Sequence, residues 1–228
     1  MNIITVPNKK LNQVTHKVTS FDNALKNQIS QMIQILRQEG GIGLAANQIG
    51  HTNQVIVAEF EDTENKDHIP LTIFVNPEII EKSDKVEPME EGCLSVPKIE
   101  LEIDRAGGLK LKYQNENGKL KKIAPKGLLA RILQHETDHL NGIIFTQRAQ
   151  EQIFAKFPKL KGLKIAFFGT GEFGAIILKG LILLGFDLTI VTEKAKPAGR
   201  DKETKLTAVG EIAERFDKKY IEIQNFSD

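Results

Sequence analysis

Hydrophobic and polar positions along the first part of the chain predict two helices and several short strands. Between residues 21 and 37 the apolar side chains recur at helical spacing, and a Gly-Gly pair at 40–41 ends the predicted helix. Strand-like runs follow, namely "QVIVAEF", "LTIFVNPEII" and "LKLKYQNENGKLKKIA", the last with the hairpin turn Asn117-Gly118. A second helix is predicted from about residue 127 to residue 139 or 140. This succession favours an α+β fold.

The pattern changes after Phe145. The polar stretch "TQRAQEQIFAKFPKLKG" predicts a short helix followed by a linker at residues 158–163. Beyond it, strand, glycine turn, helix, strand, loop, helix and strand succeed one another, from "KIAFF" to "YIEI". This β-α-β-α-β rhythm is typical of a parallel sheet. The sequence therefore predicts a first domain at residues 1–157 and a partial α/β, Rossmann-like segment at residues 164–228.

Composition excludes several classes of protein. With 31 Lys and Arg against 30 Asp and Glu in 228 residues, no overall field would attract nucleic acid or a membrane surface. The single cysteine excludes an internal disulfide and favours a reducing compartment. The first residues lack a signal pattern, and no apolar run is long enough to span a bilayer. A cytoplasmic protein without a membrane partner is expected.

The stretch "QHETDH" in the second predicted helix carries candidate chemistry. Four residues advance a helix by about 400°, so His135 and His139 lie on one face, within reach of a single ion. Glu136, beside the first imidazole, is placed to act on a water molecule held by that ion. Two histidines on an ordinary amphipathic helix would give the same pattern, so the motif alone leaves both interpretations open.

A third ligand decides which kind of metal site this would be. In the metzincin pattern the last histidine falls on Phe145, which cannot bind a metal. A downstream glutamate would have to be Glu151 or Glu172, one in the polar linker and one in a glycine turn. Cys93, in "EEGCLSVP", would give a thiolate and two imidazoles with an open fourth position. A lone buried cysteine or a Cys-His nucleophile are the alternatives.

The stretch "GIGLAANQIG" at residues 41–50 also contains functional residue types. It matches the G-x-G-x-x-A dinucleotide pattern, but a helix precedes it and a strand follows, which is the wrong context. Its small residues would instead let a backbone approach closely, and Gln48 could supply an amide donor there.

Taken together and in this order, "GIGLAANQ", "EGCLS" and "QHETDH" resemble the three signature motifs of peptide deformylase. The resemblance covers about residues 1–157 and includes the "TVPN" opening and the "VNPEI" strand. It implies an α+β metallohydrolase domain whose metal helix packs on antiparallel strands. It also implies one divalent ion, Fe2+ in that family, which Zn2+, Ni2+ or Co2+ can replace. The implied substrates are nascent N-formyl-methionyl peptides, with the ribosome nearby.

The same resemblance implies a role for individual residues. Cys93, His135 and His139 would hold the ion, and Glu136 would move a proton from water to the leaving amine. Gln48 and the Leu94 backbone N–H would stabilise the oxyanion. The implied substrate-binding residues are Ile42, Gly43, Arg105, Leu128, Arg131 and Ile132, with only the aliphatic stem of Arg131 serving in the methionine pocket. Apart from the resemblance, Glu91 and Asp138 are candidates to orient an imidazole, and a solvated helix charge or a structural ion pair is the alternative for each.

A second glycine motif, "GTGEFG" at residues 169–174, lies between a predicted strand and a predicted helix. Glu193 follows at the end of the next strand, so the pattern by itself favours a dinucleotide site. However, residues 162–228 resemble the N-terminal part of methionyl-tRNA formyltransferase, through "FFGTGEF" and the later "KPAGR". That family has proline where Gly171 stands.

The formyltransferase resemblance is incomplete. It implies a basic loop that faces tRNA, carrying Lys196 and Arg200, although a solvated loop would have the same composition. The catalytic residues and folate motif of that family would lie beyond Asp228, so formyl transfer is not expected of this chain.

Two functional hypotheses follow from the sequence. The first is a metal-dependent hydrolase that removes the formyl group from N-terminal formyl-methionine and releases formate, with an inactive formyltransferase-like tail. The second is a non-catalytic tRNA- or nucleotide-binding protein with a structural metal site. Glu136 and Gln48 favour the hydrolase, because a structural site needs neither residue. A general metalloprotease is disfavoured by Phe145.

Overall fold

The computed structural model describes residues 2–62, 67–198 and 203–224, and the chain forms two compact units, Met1–Phe145 and Thr146–Asp228. None of the helices in these described ranges combines the length and the hydropathy that crossing a bilayer would require.

Strands and two helices build the first unit. The elements are α1 (Asn23–Gln38), β1 (Gly43–Ala45), β2 (Val55–Asp62), β3 (Asp67–Lys82), β4 (Val86–Glu91), β5 (Leu101–Ala106), β6 (Leu109–Gln114), β7 (Leu120–Ile123) and α2 (Gly127–Leu140), with short 3-10 helices at Lys9–Asn12 and Ala46–Ile49. Five strands form one sheet in the order β1-β2-β3-β6-β7, with every neighbouring pair antiparallel. Strands β4 and β5 form a separate antiparallel pair. The α+β fold expected from the sequence is confirmed for this unit.

Strand β2 is apolar on both faces because the sheet is covered on both sides. Val55 and Val57 pack in one cluster with α1 residues such as Met32. Ile56 and Ala58, which point to the opposite face, pack in a second cluster with α2 residues such as Leu133. The run "VIVA" therefore belongs to a strand between two helical layers, and this arrangement holds α2 against the sheet.

Local signals set the ends of the two helices. The Asp22 side chain accepts a hydrogen bond from the Leu25 N–H at 3.1 Å and so caps the start of α1. Gly40, with φ +66°, takes the left-handed conformation that ends the predicted helix. After α2, an added Cβ at Gly142 would lie 2.5 Å from the Asn12 carbonyl oxygen, so only glycine fits there.

The second unit contains a small parallel sheet. Its elements are α3 (Phe145–Lys156), which begins at the last residue of the first unit, then β8 (Lys164–Phe168), α4 (Glu172–Leu183), β9 (Asp187–Glu193), β10 (Lys196–Ala198), β11 (Glu203–Lys205), α5 (Ala208–Arg215) and β12 (Tyr220–Ile223). The parallel strands stand in the order β12-β9-β8, and Leu178, Ile190 and Val209 share their core. This is the succession of elements expected from the sequence, and the Rossmann-like assignment stays a prediction.

The boundary between the units falls between Phe145 and Thr146, so most of α3 groups with the second unit. The sequence places a domain boundary at 157 instead, and that assignment also stays a prediction. Lys196 begins β10, whereas Arg200 lies outside the described residues.

Candidate active site

Three elements of the first unit meet at one cavity of about 450 Å³. The turn from β1 into the 3-10 helix Ala46–Ile49 brings Gln48, the loop between β4 and β5 brings Cys93, and α2 brings His135 and Glu136. Gln48, Cys93 and His135, which lie 45 and 42 positions apart along the chain, are thus brought together by the fold.

Cys93, His135 and His139 form a group that fits a metal ion. Their candidate ligand atoms all lie within 4.8 Å of one another, and Cys93 Sγ is 3.2 Å from His139 Nε2. Both histidines are buried, and Cys93 is half-buried at the cavity wall. A thiolate with two imidazoles would give an ion three protein ligands and leave a fourth position open, which is the arrangement of a catalytic rather than a structural site.

Glu91 fixes the orientation of His135. Its Oε2 lies 2.9 Å from His135 Nδ1, so the ring N–H donates to the carboxylate and Nε2 is the nitrogen left to bind an ion in place of its proton. Desolvation by burial opposes ionisation, yet hydrogen bonds from His135 and Arg105 lower the pKa of Glu91 to about 2. The carboxylate is therefore charged across the whole physiological range.

The electrostatic surroundings of the His135 and His139 imidazoles also favour a bound cation. Desolvation by burial would lower the pKa of His135, but hydrogen bonds to Cys93 and Glu91 prevail and raise it to about 10. The Glu91 carboxylate, which favours a proton on this ring, also favours a metal cation in its place. Desolvation, followed by the nearby charge of His135, lowers the pKa of His139 well below its usual value, so its imidazole is neutral.

Glu136 has the burial and position of a proton carrier. It is buried at the cavity wall, and its Oε2 has no hydrogen-bond partner within the described residues. Desolvation by burial raises the pKa of Glu136 to about 7. Its other oxygen and Ile132 leave no space beside Gly43, where an added Cβ would lie 2.7 Å from each of them. A carboxyl poised near neutrality can take up and release a proton.

Gln48 is held so that its amide nitrogen points at the cysteine. Its Oε1 accepts a hydrogen bond from the Ala45 N–H at 2.8 Å, which leaves Nε2 to donate to Cys93 Sγ at 3.6 Å and to Ser95 Oγ at 3.3 Å. Ser95 was not singled out from the sequence, although its place two residues after the cysteine is a signal that it belongs to the same loop.

The remaining predicted binding residues divide into two groups. Ile42, Gly43, Leu94, Leu128, Arg131 and Ile132 all line the cavity. Arg105 does not line it: this side chain is buried, with Nε and Nη2 donating to Glu91 and Nη1 donating to Asp138. The structure thus places Arg105 in an ion network behind the cavity, where the carboxylates occupy the guanidinium that a substrate contact would need.

Arg131 belongs to the cavity wall and to the same ion network. Its guanidinium donates to Glu91 Oε1 at 2.9 Å, to the Ile103 carbonyl at 2.6 Å and to the Glu87 carbonyl. That only its aliphatic stem serves in the methionine pocket stays a prediction. Both alternatives weighed for Glu91 are realised together, because it bonds an imidazole and pairs with two arginines.

Asn47 is a further residue that sequence reasoning missed. Its Nδ2 donates to the carbonyl oxygen of His139 at 2.5 Å and ties the 3-10 helix to the metal helix. Its position next to Gln48, within a motif rich in small residues, was the available signal.

Comparison with known proteins agrees with this geometry. The family model for polypeptide deformylase matches residues 1–153. The peptide deformylase of Prochlorococcus marinus is 39% identical over 165 residues, which is 72% of this chain and 80% of that protein. The peptide deformylase of Chromobacterium violaceum is also 39% identical, over 70% of this chain and 95% of that protein.

Solved structures give the same result. A peptide deformylase from Synechococcus elongatus in complex with actinonin has 36% identity and a TM-score of 0.60, covering 64% of this chain and 77% of that one. A Met-Ala-Ser-bound class I type b peptide deformylase from Acinetobacter baumannii has 31% identity and a TM-score of 0.62, covering 65% of this chain and 97% of that one. Motifs, site geometry and relatives agree, and the chain belongs to the polypeptide deformylase family.

Proposed function

We propose that this protein is a metal-dependent hydrolase that removes the formyl group from the N-terminal formyl-methionine of newly made polypeptides and releases formate. One observation carries the proposal: Glu136, a buried glutamate whose Oε2 has no hydrogen-bond partner in the described part of the chain, lies beside the group formed by Cys93, His135 and His139 at a cavity wall. A metal site that only stabilised the fold would gain nothing from a free carboxylate next to it.

Cys93, His135 and His139 would hold one divalent ion. Fe2+ is proposed, as the family resemblance implies, with Zn2+, Ni2+ or Co2+ able to replace it. When bound, such an ion supplies a Lewis acid that acidifies a water molecule and polarises the formyl carbonyl. Neutral His139 and the Glu91-oriented tautomer of His135 both present lone pairs to it.

Glu136 would carry the proton. With its pKa raised to about 7, the ionised carboxyl can accept a proton from the attacking water and then donate it to the amine. The water oxygen forms a bond to the formyl carbon, and the bond between that carbon and the methionine nitrogen breaks. The products are formate and a free N-terminal amine.

Gln48 and Leu94 would stabilise the negative charge on the formyl oxygen. The Gln48 amide nitrogen already points at the cysteine, and Leu94 follows the cysteine on the same cavity wall. Removal of one such donor typically costs about 2.7–4 kcal/mol of transition-state stabilisation.

The peptide would bind along β1 as an added strand. Strand β1 pairs only with β2 within the described part of the chain, so its other edge is open beside the cavity. Ile42 and Gly43 would align the peptide backbone there. The methionine side chain would lie against Leu128, Ile132 and the stem of Arg131. A Met-Ala-Ser peptide bound to the Acinetobacter relative has the first residue that this product would have.

The second unit has no part in this reaction. We propose, on the sequence resemblance alone, that residues 162–228 are an incomplete formyltransferase-like segment that does not transfer formyl groups, with Lys196 and Arg200 as the basic residues that would face tRNA. The proposed partners of the whole protein are nascent formyl-methionyl chains and, near them, the ribosome in the cytoplasm.

Turnover of formyl-Met-Ala-Ser by the metal-loaded protein tests the proposal. Glu136→Gln should abolish formate release while metal binding is retained, because the amide cannot accept the proton. Glu102→Gln, at an exposed position of β5, is the matched control and should release formate like the parent. Stoichiometric metal without any turnover in the parent would contradict the proposal and indicate a structural site.

A further inference from the structure

The Glu91 carboxylate connects two parts of the candidate metal site, namely the loop that carries Cys93 and the His135 imidazole on α2. Glu91 ends β4, two residues before Cys93, and its side chain reaches His135 on α2. Any movement of this carboxylate would therefore act on the loop that carries the thiol and on the orientation of one imidazole.

Two arginines and one histidine saturate the Glu91 carboxylate. Oε1 accepts hydrogen bonds from Arg105 Nε at 2.6 Å and Arg131 Nη1 at 2.9 Å, and Oε2 accepts from Arg105 Nη2 at 3.0 Å and His135 Nδ1 at 2.9 Å. A carboxylate has about four acceptor positions, so all of them are filled.

Arg131 differs from Arg105 because it lies on the metal helix itself. It stands one helical turn before His135, and its guanidinium also donates to the backbone carbonyls of Ile103 in β5 and Glu87 in β4. One side chain thus ties α2 to both strands that flank the cysteine loop. Arg105 cannot take over this role, because its remaining guanidinium nitrogen, Nη1, donates to Asp138 at 2.7 Å.

Charge within the network is balanced. Arg105 and Arg131 face Glu91 and Asp138, all four are buried, and His135 Nδ1 donates to the same Glu91 carboxylate. Truncation of Arg131 would remove one buried cation and leave the Glu91 carboxylate without one of its partners. The unbalanced carboxylate would then tend to rearrange.

We propose that Arg131 is a positioning residue that fixes the Glu91 carboxylate, and through it His135 and the Cys93 loop, so that the site retains its metal ion. The methionine pocket uses its stem at most, and the guanidinium does not contact the substrate. This inference rests on the proposed metal site but not on the identity of the substrate, so metal retention can be measured whether or not the protein hydrolyses formyl peptides.

Arg131→Met keeps a long apolar stem and removes the guanidinium, which makes it the informative variant. Its Kd for Zn2+, measured by competition with a chromogenic chelator, should rise about 10- to 100-fold, the usual range for loss of a group that supports a ligand. With metal at saturation, KM for formyl-Met-Ala-Ser should stay within about twofold of the parent, because the stem persists. Arg37→Met is the matched control, since Arg37 forms an exposed ion pair with Glu59; its metal Kd should not change.

Three results would overturn the proposal. An unchanged metal Kd with a raised KM would assign the guanidinium to the substrate. An unchanged metal Kd with a lower melting temperature of the metal-free protein would assign it to the fold alone. Should Arg131→Met not fold, Arg131→Lys takes its place: a raised Zn2+ Kd at unchanged KM supports the inference, and parent-like metal retention refutes it.

Discussion

At the scale of single residues, the candidate metal ligands could be predicted from the sequence, whereas the buried ion pairs around them could not. Helical spacing predicts that His135 and His139 share one face, the resemblance to peptide deformylase adds Cys93, and the fold brings the three residues together. Arg105 was expected at the substrate but is buried against carboxylates. Sequence spacing shows which face of an element a residue occupies, whereas ion pairs between residues 14 to 40 positions apart depend on how the elements pack.

Gly43 should tolerate no side chain, because it lies against the proposed proton carrier. A methyl group there would stand 2.7 Å from Glu136 Oε1 and 2.7 Å from Ile132, both buried. We expect Gly43→Ala to displace the carboxylate, to lower kcat by roughly 10-fold or more, and to cost about 1–3 kcal/mol of stability. Steady-state kinetics and urea unfolding would show both effects. In Gly171→Ala the added methyl meets no described atom within 4 Å, and parent-like turnover is expected.

Glu91 should make the free energy of unfolding depend on pH in the acidic range. Its pKa, lowered to about 2 against desolvation by the hydrogen bonds from His135 and Arg105, lies below the unfolded value near 4.5. A lowered folded-state pKa stabilises the protein fully above pH 4.5, and the effect disappears as pH falls through about 2. The difference in unfolding free energy between metal-free parent and Glu91→Gln should therefore be large at pH 6 and shrink toward pH 2. A difference that stays constant with pH would contradict the charge assignment.

At the scale of elements, the apolar pattern of the sequence predicts α1, α2, β2, β8 and β9. The pattern in β4 and β5 is too weak to predict either strand. The paired strands read "VEPMEE" and "LEIDRA", with few apolar residues and with the charged Glu91 and Arg105 among the buried positions. Their pairing is enforced by buried contacts such as those of Ile103 and Arg105, which local pattern cannot show. This hairpin matters because the loop between its strands carries Cys93.

Packing of α2 on the sheet should dominate the stability of the first unit. Leu133 is fully buried between the helix and strands β2 and β3, so Leu133→Ala should lower the free energy of unfolding by about 2–5 kcal/mol. Leu120→Ala is the matched control: that side chain is 66% exposed on β7, and a change within about 0.5 kcal/mol is expected. Urea unfolding followed by circular dichroism compares the two variants. Equal effects would show that the helix is not anchored through this core.

At the scale of the whole molecule, the site needs only the first unit. All residues of the cavity and of the ion network lie between Glu39 and His139, and the family model ends at residue 153. The sequence predicted the order of the helices and parallel strands in the second unit. The identity of that unit rests on resemblance alone, because the family model covers residues 1–153 and the reported relatives are peptide deformylases.

Removal of the residues after Lys161 should therefore leave kcat/KM for a formyl-methionyl peptide within about twofold of the full chain. The truncated protein retains α3, so the last helix that the family model reaches is intact. Formate release and circular dichroism of the two forms would be compared. Loss of folding on truncation would show that the second unit supports the first.

The central claim is hydrolysis of the formyl amide by this site, and product stoichiometry tests it most directly. Parent protein loaded with one Fe2+ or Ni2+ per chain should convert formyl-Met-Ala-Ser to Met-Ala-Ser with one formate for each new amine, while Glu136→Gln, equally loaded, should form neither. Formation of neither product by the loaded parent, or cleavage after the methionine instead of before it, would contradict the account.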